Sequence, residues 1–222
     1  PIEKAAARLA TGKWFNAGQT CIAPDYVLVE GGQQRVAALA HALGVQVRQR
    51  YGDDLAASAD YTRIINDGQY QRLMAHVADA RARGLDVRQL AEVPDNAAAQ
   101  RLIAPTLILQ PDAQATVMGE EIFGPLLPII SVPSLDAAIA RINAGERPLA
   151  LYPFSHDRKA VERLLQQTVA GGITVNDCLL HFAAEGLPFG GVGASGMGAY
   201  HGRAGFDAMS KALPILWQPR IT

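Results

Sequence analysis

Short aliphatic and β-branched segments alternate with longer amphipathic ones along most of this chain, and few architectures accept that order. Residues 2–15 set Ile2, Ala5, Ala6 and Leu9 on one side of a helix, with the Lys13 stem beside them. Residues 26–29 read as a buried strand. Helical spacing returns over 33–46 through Val36, Leu39, Ala40 and Leu43, and again over 67–83 through Tyr70, Leu73, Met74, Val77 and Ala80, with Gly84 as the stop. Strands are expected over 102–109, interrupted by Pro105, and over 127–132, with Pro128 near the start. Ser134 caps a helix through Ala137, Ile139 and Ile142 that Gly145 closes. A short strand at 149–154, a helix opened by His156-Asp157 with Val161, Leu164 and Leu165 inward, and a strand at 172–176 complete the pattern. Such alternation predicts an α/β fold of βαβ units, a mostly parallel sheet with helices on both faces.

The pattern fades beyond residue 180. Gly186, Gly190, Gly191, Gly193, Gly196, Gly198, Gly202 and Gly205 crowd the segment 186–205, which reads as a permissive loop. A short helical stretch is expected at 206–211, followed by the apolar run 212–217. A terminal apolar strand with no partner in its own chain is expected to pair with a second subunit, giving a homo-oligomer.

Charge and cysteine content exclude several classes. Lys and Arg total 20 against 21 Asp and Glu, so no basic excess suggests nucleic acid or an anionic membrane surface as a partner. No apolar run reaches the roughly 18 residues of a membrane-spanning helix, and no signal peptide is visible. The two cysteines, Cys21 and Cys178, make no disulfide framework, so a cytoplasmic location is expected. A chain that opens at Pro1 directly into a helix is expected to be part of a longer one.

Few groups are placed to do chemistry. Cys21 ends the heptapeptide Phe15-Asn16-Ala17-Gly18-Gln19-Thr20-Cys21. A lone cysteine is most often a core side chain. This one follows small residues that let a substrate carbonyl approach, and its own N–H is available to a developing oxyanion. Cys178 keeps the structural reading. In Glu120-Glu121-Ile122-Phe123-Gly124-Pro125, two carboxylates lead into an aromatic ring and a Gly-Pro turn. A carboxylate accepts from ribose hydroxyls and an aromatic face packs on a flat heterocycle; a solvated acidic pair beside a core phenylalanine fits the same residues. Gly191-Val192-Gly193-Ala194-Ser195-Gly196 matches GxGxxG but lies outside a strand-to-helix turn, so the dinucleotide fingerprint does not apply. His181 and His201 show no metal-ligand spacing with either cysteine. Two other classes stay open: a thiol hydrolase pairing Cys21 with His181 or His201, and a non-catalytic assembly module docking through the last strand.

Three segments together resemble one family. Residues 15–26 look like the catalytic-cysteine motif of aldehyde dehydrogenases, residues 120–125 like their nicotinamide-side motif, and residues 187–202 like the C-terminal loop of the class 3 branch, which includes coniferyl aldehyde dehydrogenases. Order and spacing match as well. The resemblance implies that Cys21 is the nucleophile of an NAD- or NADP-dependent oxidation of a small-molecule aldehyde, hydrophobic or aromatic, through a thiohemiacetal and a thioester. It implies that Glu121 holds the nicotinamide ribose and that Phe123 packs near the ring. It further implies a catalytic domain over 1–187, with a Gly-rich loop, short helix and oligomerisation strand over 188–222, in a homodimer. The family's dinucleotide-binding domain, glutamate base and oxyanion-hole amide precede the cysteine by more than the 20 residues found here, so these 222 residues are expected to be a fragment inactive by itself.

Overall fold

In the computed structural model, which describes residues 1–220, caps and glycines set the element boundaries. Helix α1 spans Ile2–Trp14, followed by strand β1 at Val27–Glu30 and helix α2 at Gly32–Tyr51. Helix α3 spans Asp67–Ala82, then come β2 at Asp86–Gln89, β3 at Thr106–Leu109 and β4 at Leu126–Val132. Helix α4 covers Leu135–Ala144, β5 Ala150–Leu151, α5 Arg158–Gln167, β6 Gly172–Ile173, α6 Leu180–Ala183 and α7 Gly202–Ala208. Asn66, Ser134 and Asp157 cap α3, α4 and α5 by accepting first-turn amides. Gly84, at φ 72°, provides the left-handed turn that ends α3.

The main sheet has the order β1-β4-β3-β2. Its first three strands run parallel, with Val27 opposite Ile129 and Thr106 opposite Leu126, and the fold class is the expected mixed α/β. All of β3 and all but Ser131 of β4 are buried, the signature of strands covered on both faces. Pro128 is tolerated inside β4 because β1 pairs only from Ile129 onward, so its missing N–H costs no bond to that neighbour. Helix α1 lies against α2, where Arg50 Nη2 donates to the Ala7 carbonyl at 2.9 Å.

Several boundaries differ from expectation. Strand β2 is additional: it pairs antiparallel with β3 at the sheet edge, and the sequence Asp86-Val87-Arg88-Gln89 offers too little apolar character to announce it. The strands expected at 149–154 and 172–176 shrink to the two-residue pair β5 and β6, because Pro153 has no N–H to extend the ladder. The Gly-rich segment is more ordered than a loop, with a 3-10 turn at Gly193–Ser195 and an antiparallel bridge between Phe189 and Tyr200. Helix α7 starts at Gly202 and ends at Ala208, so the helix expected at 206–211 is displaced toward the N-terminus. Residues 212–217, expected as a strand, lie outside both sheets, with Leu216 94% and Trp217 87% exposed.

Parallel pairing of β1 with β4 has a local consequence. The segment that precedes β1 carries Cys21, and the segment that precedes β4 carries Glu121 and Phe123. Adjacent parallel strands present their amino ends side by side, so the sheet brings the two segments together. Nucleotide sites of open parallel sheets usually lie at the opposite, carboxyl ends.

Leu107 is fully buried in β3 between β2 and β4. Its truncation to alanine removes several methyl and methylene contacts and leaves a cavity. The variant Leu107→Ala is expected to lose about 3 kcal/mol of unfolding free energy in urea titrations.

Candidate active site

Helix α1 ends in a tight loop that carries the thiol. The Ala17 N–H donates to the Trp14 carbonyl at 3.1 Å, and the Gln19 N–H to the Asn16 carbonyl at 2.9 Å. Ala17 and Gly18 both adopt left-handed backbone, at φ 48° and 73°. The Gln19 side chain joins this loop to the stretch before α3, donating to the Arg63 carbonyl at 3.0 Å and accepting from the Ile65 N–H at 2.9 Å. The Ala23 N–H then donates to the Thr20 carbonyl at 2.9 Å, closing a turn with Cys21 and Ile22 at its centre. Ile22 is buried and Cys21 is exposed.

The segment before β4 passes directly against this loop. A Cβ on Gly18 would collide with the Gly124 carbonyl, so the two backbones meet with no side chain between them. Trp14 Nε1 donates to the Pro125 carbonyl at 2.9 Å. Asp25 Oδ1 accepts from the Ile122 N–H at 3.2 Å. Helix α3 grips the same segment from the other side: Arg72 donates to the Glu121 carbonyl at 3.3 Å and to the Ile122 carbonyl at 2.5 Å.

The two adjacent carboxylates have different environments. Glu120 is bound by Arg72 Nη1 at 3.2 Å and by His76 Nε2 at 2.9 Å, and the Arg72 hydrogen bond holds its pKa below the usual range. The Glu121 side chain makes no hydrogen bond among the described residues and is exposed. Partial desolvation, with Asp25 nearby, raises its pKa, opposed by Arg72 and Lys13. Phe123 is 40% exposed and adopts φ 46°, a strained conformation for a bulky side chain. Positive φ there turns the backbone into Gly124, where any Cβ would strike Leu73.

Lys13 lies completely buried beneath these groups, and its Nζ has no hydrogen-bond partner among the described residues. Burial pushes its pKa down from 10.5 to about 8, against the attraction of Asp25 and then Glu121. Burial also raises Asp25, opposed first by Lys13. Lys13, Asp25 and Arg72 surround the seam, and no motif in the chain singles them out. The available signal was a lysine between Gly12 and Trp14 on the apolar side of α1.

Cys178 is 4% exposed, packs on Gly12 of α1, and has its thiol pushed up to about 12 by burial and then by Asp177. His181 is buried, with Nδ1 2.9 Å from Thr174 Oγ1, and its ring lies in an aromatic cluster with Tyr152 and Phe189. Among the described residues neither His181 nor His201 hydrogen-bonds to Cys21. No group of three or more His, Cys, Asp or Glu among the described residues is arranged to hold a metal ion.

The fold is a mixed α/β sheet in which an exposed thiol lies on a loop packed against an acidic-aromatic turn. The family model described as "Aldehyde dehydrogenase family" matches residues 1–213, and the chain belongs to that family. It is 44% identical over 215 residues to Aldehyde dehydrogenase family 3 member A2 of Rattus norvegicus, covering 97% of this chain and 42% of that protein. It is 41% identical over 220 residues to the dimeric NADP-preferring aldehyde dehydrogenase of Canis lupus familiaris, covering 99% of this chain and 46% of that one. Among solved structures, the substrate-bound state of Staphylococcus aureus AldH superposes with a TM-score of 0.86 at 39% identity, covering 98% of this chain and 47% of that one. The chain thus spans less than half the length of these relatives.

Two outcomes test the geometry. Gly18→Ala adds a Cβ where both the backbone angle and the Gly124 carbonyl forbid it, so a loss of more than about 2 kcal/mol in unfolding free energy is expected. For Lys13, the unfolded side chain takes up its proton near pH 10.5 and the folded one only near pH 8. Between those values the unfolded chain binds more protons, so stability rises with pH. The stability of wild type relative to Lys13→Met is expected to grow from pH 8 to pH 10.5 in urea titrations; a difference independent of pH contradicts burial of a titrating amine.

Proposed function

We propose that this chain carries the nucleophile and the nicotinamide-side residues of an NAD- or NADP-dependent aldehyde dehydrogenase. The observation that carries the reading is the backbone contact of Gly18 with Gly124, which sets exposed Cys21 beside the turn bearing Glu121 and Phe123. Family membership supplies the chemistry.

Cys21, as thiolate, adds to the aldehyde carbonyl: a sulfur–carbon bond forms and the carbonyl π pair moves onto oxygen. The Cys21 N–H stabilises that thiohemiacetal oxyanion. When bound, the nicotinamide cofactor supplies the hydride acceptor. The residues fit such a group: the Glu121 carboxylate is exposed with no side-chain hydrogen bond of its own among the described residues, which leaves it for ribose hydroxyls, and the exposed Phe123 ring suits packing near the nicotinamide. Hydride loss leaves a thioester on Cys21, which a water activated by a glutamate base hydrolyses to the acid. In the family that glutamate and the oxyanion-hole amide come well before the cysteine. The chain covers 42% of the rat relative's length, and by itself it forms the thiohemiacetal without oxidising it.

By the same reading residues 1–187 form the catalytic domain, and residues 188–222 carry the Gly-rich loop, α7 and a tail that mates two copies into a homodimer. The exposure of Leu213, Ile215, Leu216 and Trp217, together with the word "dimeric" in the name of a relative, supports that assignment. The substrate is a hydrophobic or aromatic aldehyde of the coniferyl type, and the working location is the cytoplasm. No helix among the described residues is long and apolar enough to cross a membrane.

Iodoacetamide is expected to alkylate Cys21 in the native 222-residue chain and to leave buried Cys178 unlabelled, as read by peptide mapping. Mixed with an aromatic aldehyde and NAD or NADP, the chain is expected to give no more reduced cofactor than its Cys21→Ala variant. Aldehyde-dependent absorbance at the reduced-nicotinamide band above that background would overturn the incomplete-machinery reading. Truncation after Lys211 is expected to convert dimers to monomers in sedimentation velocity.

A further inference from the structure

The mechanism above leaves Tyr152 unused, although it sits on the turn that carries the thiol. Tyr152 immediately follows β5, which pairs with β6. The Asn176 N–H donates to the Pro153 carbonyl at 2.8 Å, so the backbone on both sides of Tyr152 is fixed to the chain leaving β6. From that base the phenol reaches across to the other sheet's side of the molecule and donates to the Ile22 carbonyl at 2.7 Å.

That acceptor belongs to the peptide unit joining Ile22 to Ala23. The N–H of the same unit is taken by the Thr20 carbonyl at 2.9 Å. Both polar ends of one peptide plane are therefore held, and the Thr20 carbonyl that takes its N–H belongs to the peptide unit carrying the Cys21 N–H. A hydrogen bond at each end prevents the plane from rotating and fixes the turn in which Cys21 is a central residue. We propose that Tyr152 is a positioning residue for Cys21: by holding the Ile22 carbonyl it keeps the Cys21 N–H aimed where the oxygen of an attacked carbonyl develops negative charge.

The environment of the phenol agrees. Burial holds its pKa well above the ordinary tyrosine value, and the nearby Cys178 and Cys21 thiols act in the same direction, so the group remains a neutral donor.

The inference rests on Cys21 being the nucleophile. Its test separates two reactions of one thiol. Alkylation by iodoacetamide displaces iodide at a saturated carbon and develops no oxyanion. Acylation by p-nitrophenyl acetate forms a sulfur–carbon bond, passes through a tetrahedral oxyanion and expels p-nitrophenolate, with the thiol proton released to solvent. In Tyr152→Phe of the 222-residue chain, the Cys21 acylation rate is expected to fall about tenfold or more, while Cys21 alkylation changes less than about twofold. Both rates are read across pH 6 to 9 by intact mass and peptide mapping. Equal acylation in variant and wild type overturns the role of Tyr152 and leaves the nucleophile in place. Parallel loss of both reactions also overturns it, because thiol access or ionisation is then what changed. Labelling of Cys178 in the variant makes the phenol a packing group and removes the proposal. Absence of Cys21 acylation in wild type defeats the nucleophile reading itself, and this inference with it.

Discussion

The contact between Gly18 and Gly124 is the constraint on which the site depends. Two chain segments distant in sequence meet backbone to backbone, with no side chain able to separate them. Every other feature of the site adjusts to that approach. Ala17 and Gly18 take left-handed conformations to deliver it from one side, and Phe123 takes a strained one to deliver it from the other. Trp14 and Asp25 then supply hydrogen bonds across the seam, and Arg72 closes it from α3.

Burial distributes roles among charges that look alike in sequence. Glu120 and Glu121 are neighbours, yet Arg72 and His76 occupy the first carboxylate while the second makes no hydrogen bond among the described residues. One carboxylate acts as mortar and the other remains available. Lys13 is a fully buried amine attracted by Asp25 and then by Glu121. A buried amine with no hydrogen-bond partner among the described residues costs stability. Its retention beneath a cluster that includes two carboxyl groups keeps Asp25 and Glu121 from repelling each other unopposed.

Much of the fold was legible because helical and strand periodicities are strong in α2, α3 and α4, and because Asn66, Ser134 and Asp157 mark helix starts by chemistry. Strand β2 was not legible, since a half-exposed edge strand with one apolar residue has no pattern to show. Ordering of the Gly-rich segment was also hidden: glycine content advertises freedom, whereas the bridge between Phe189 and Tyr200 is backed by ring contacts with Phe182 and His201. In the candidate site, Cys21, Glu121 and Phe123 are singled out by motif resemblance. Arg72, Asp25 and Tyr152 are not, because each acts through a backbone group of another segment, and backbone partners leave no trace in residue identity.

The parallel pairing of β1 with β4 also governs when a site of this design comes into being. Val27 and Ile129 are neighbours in space, but the whole of α2, α3, β2 and β3 lies between them in the chain. Closing so long a loop is entropically slow, and local structure gives no advance on it. During synthesis the thiol segment leaves the ribosome long before its counterpart exists. Cys21 is therefore an ordinary exposed cysteine for most of the chain's early life, and it gains its setting only when β4 docks.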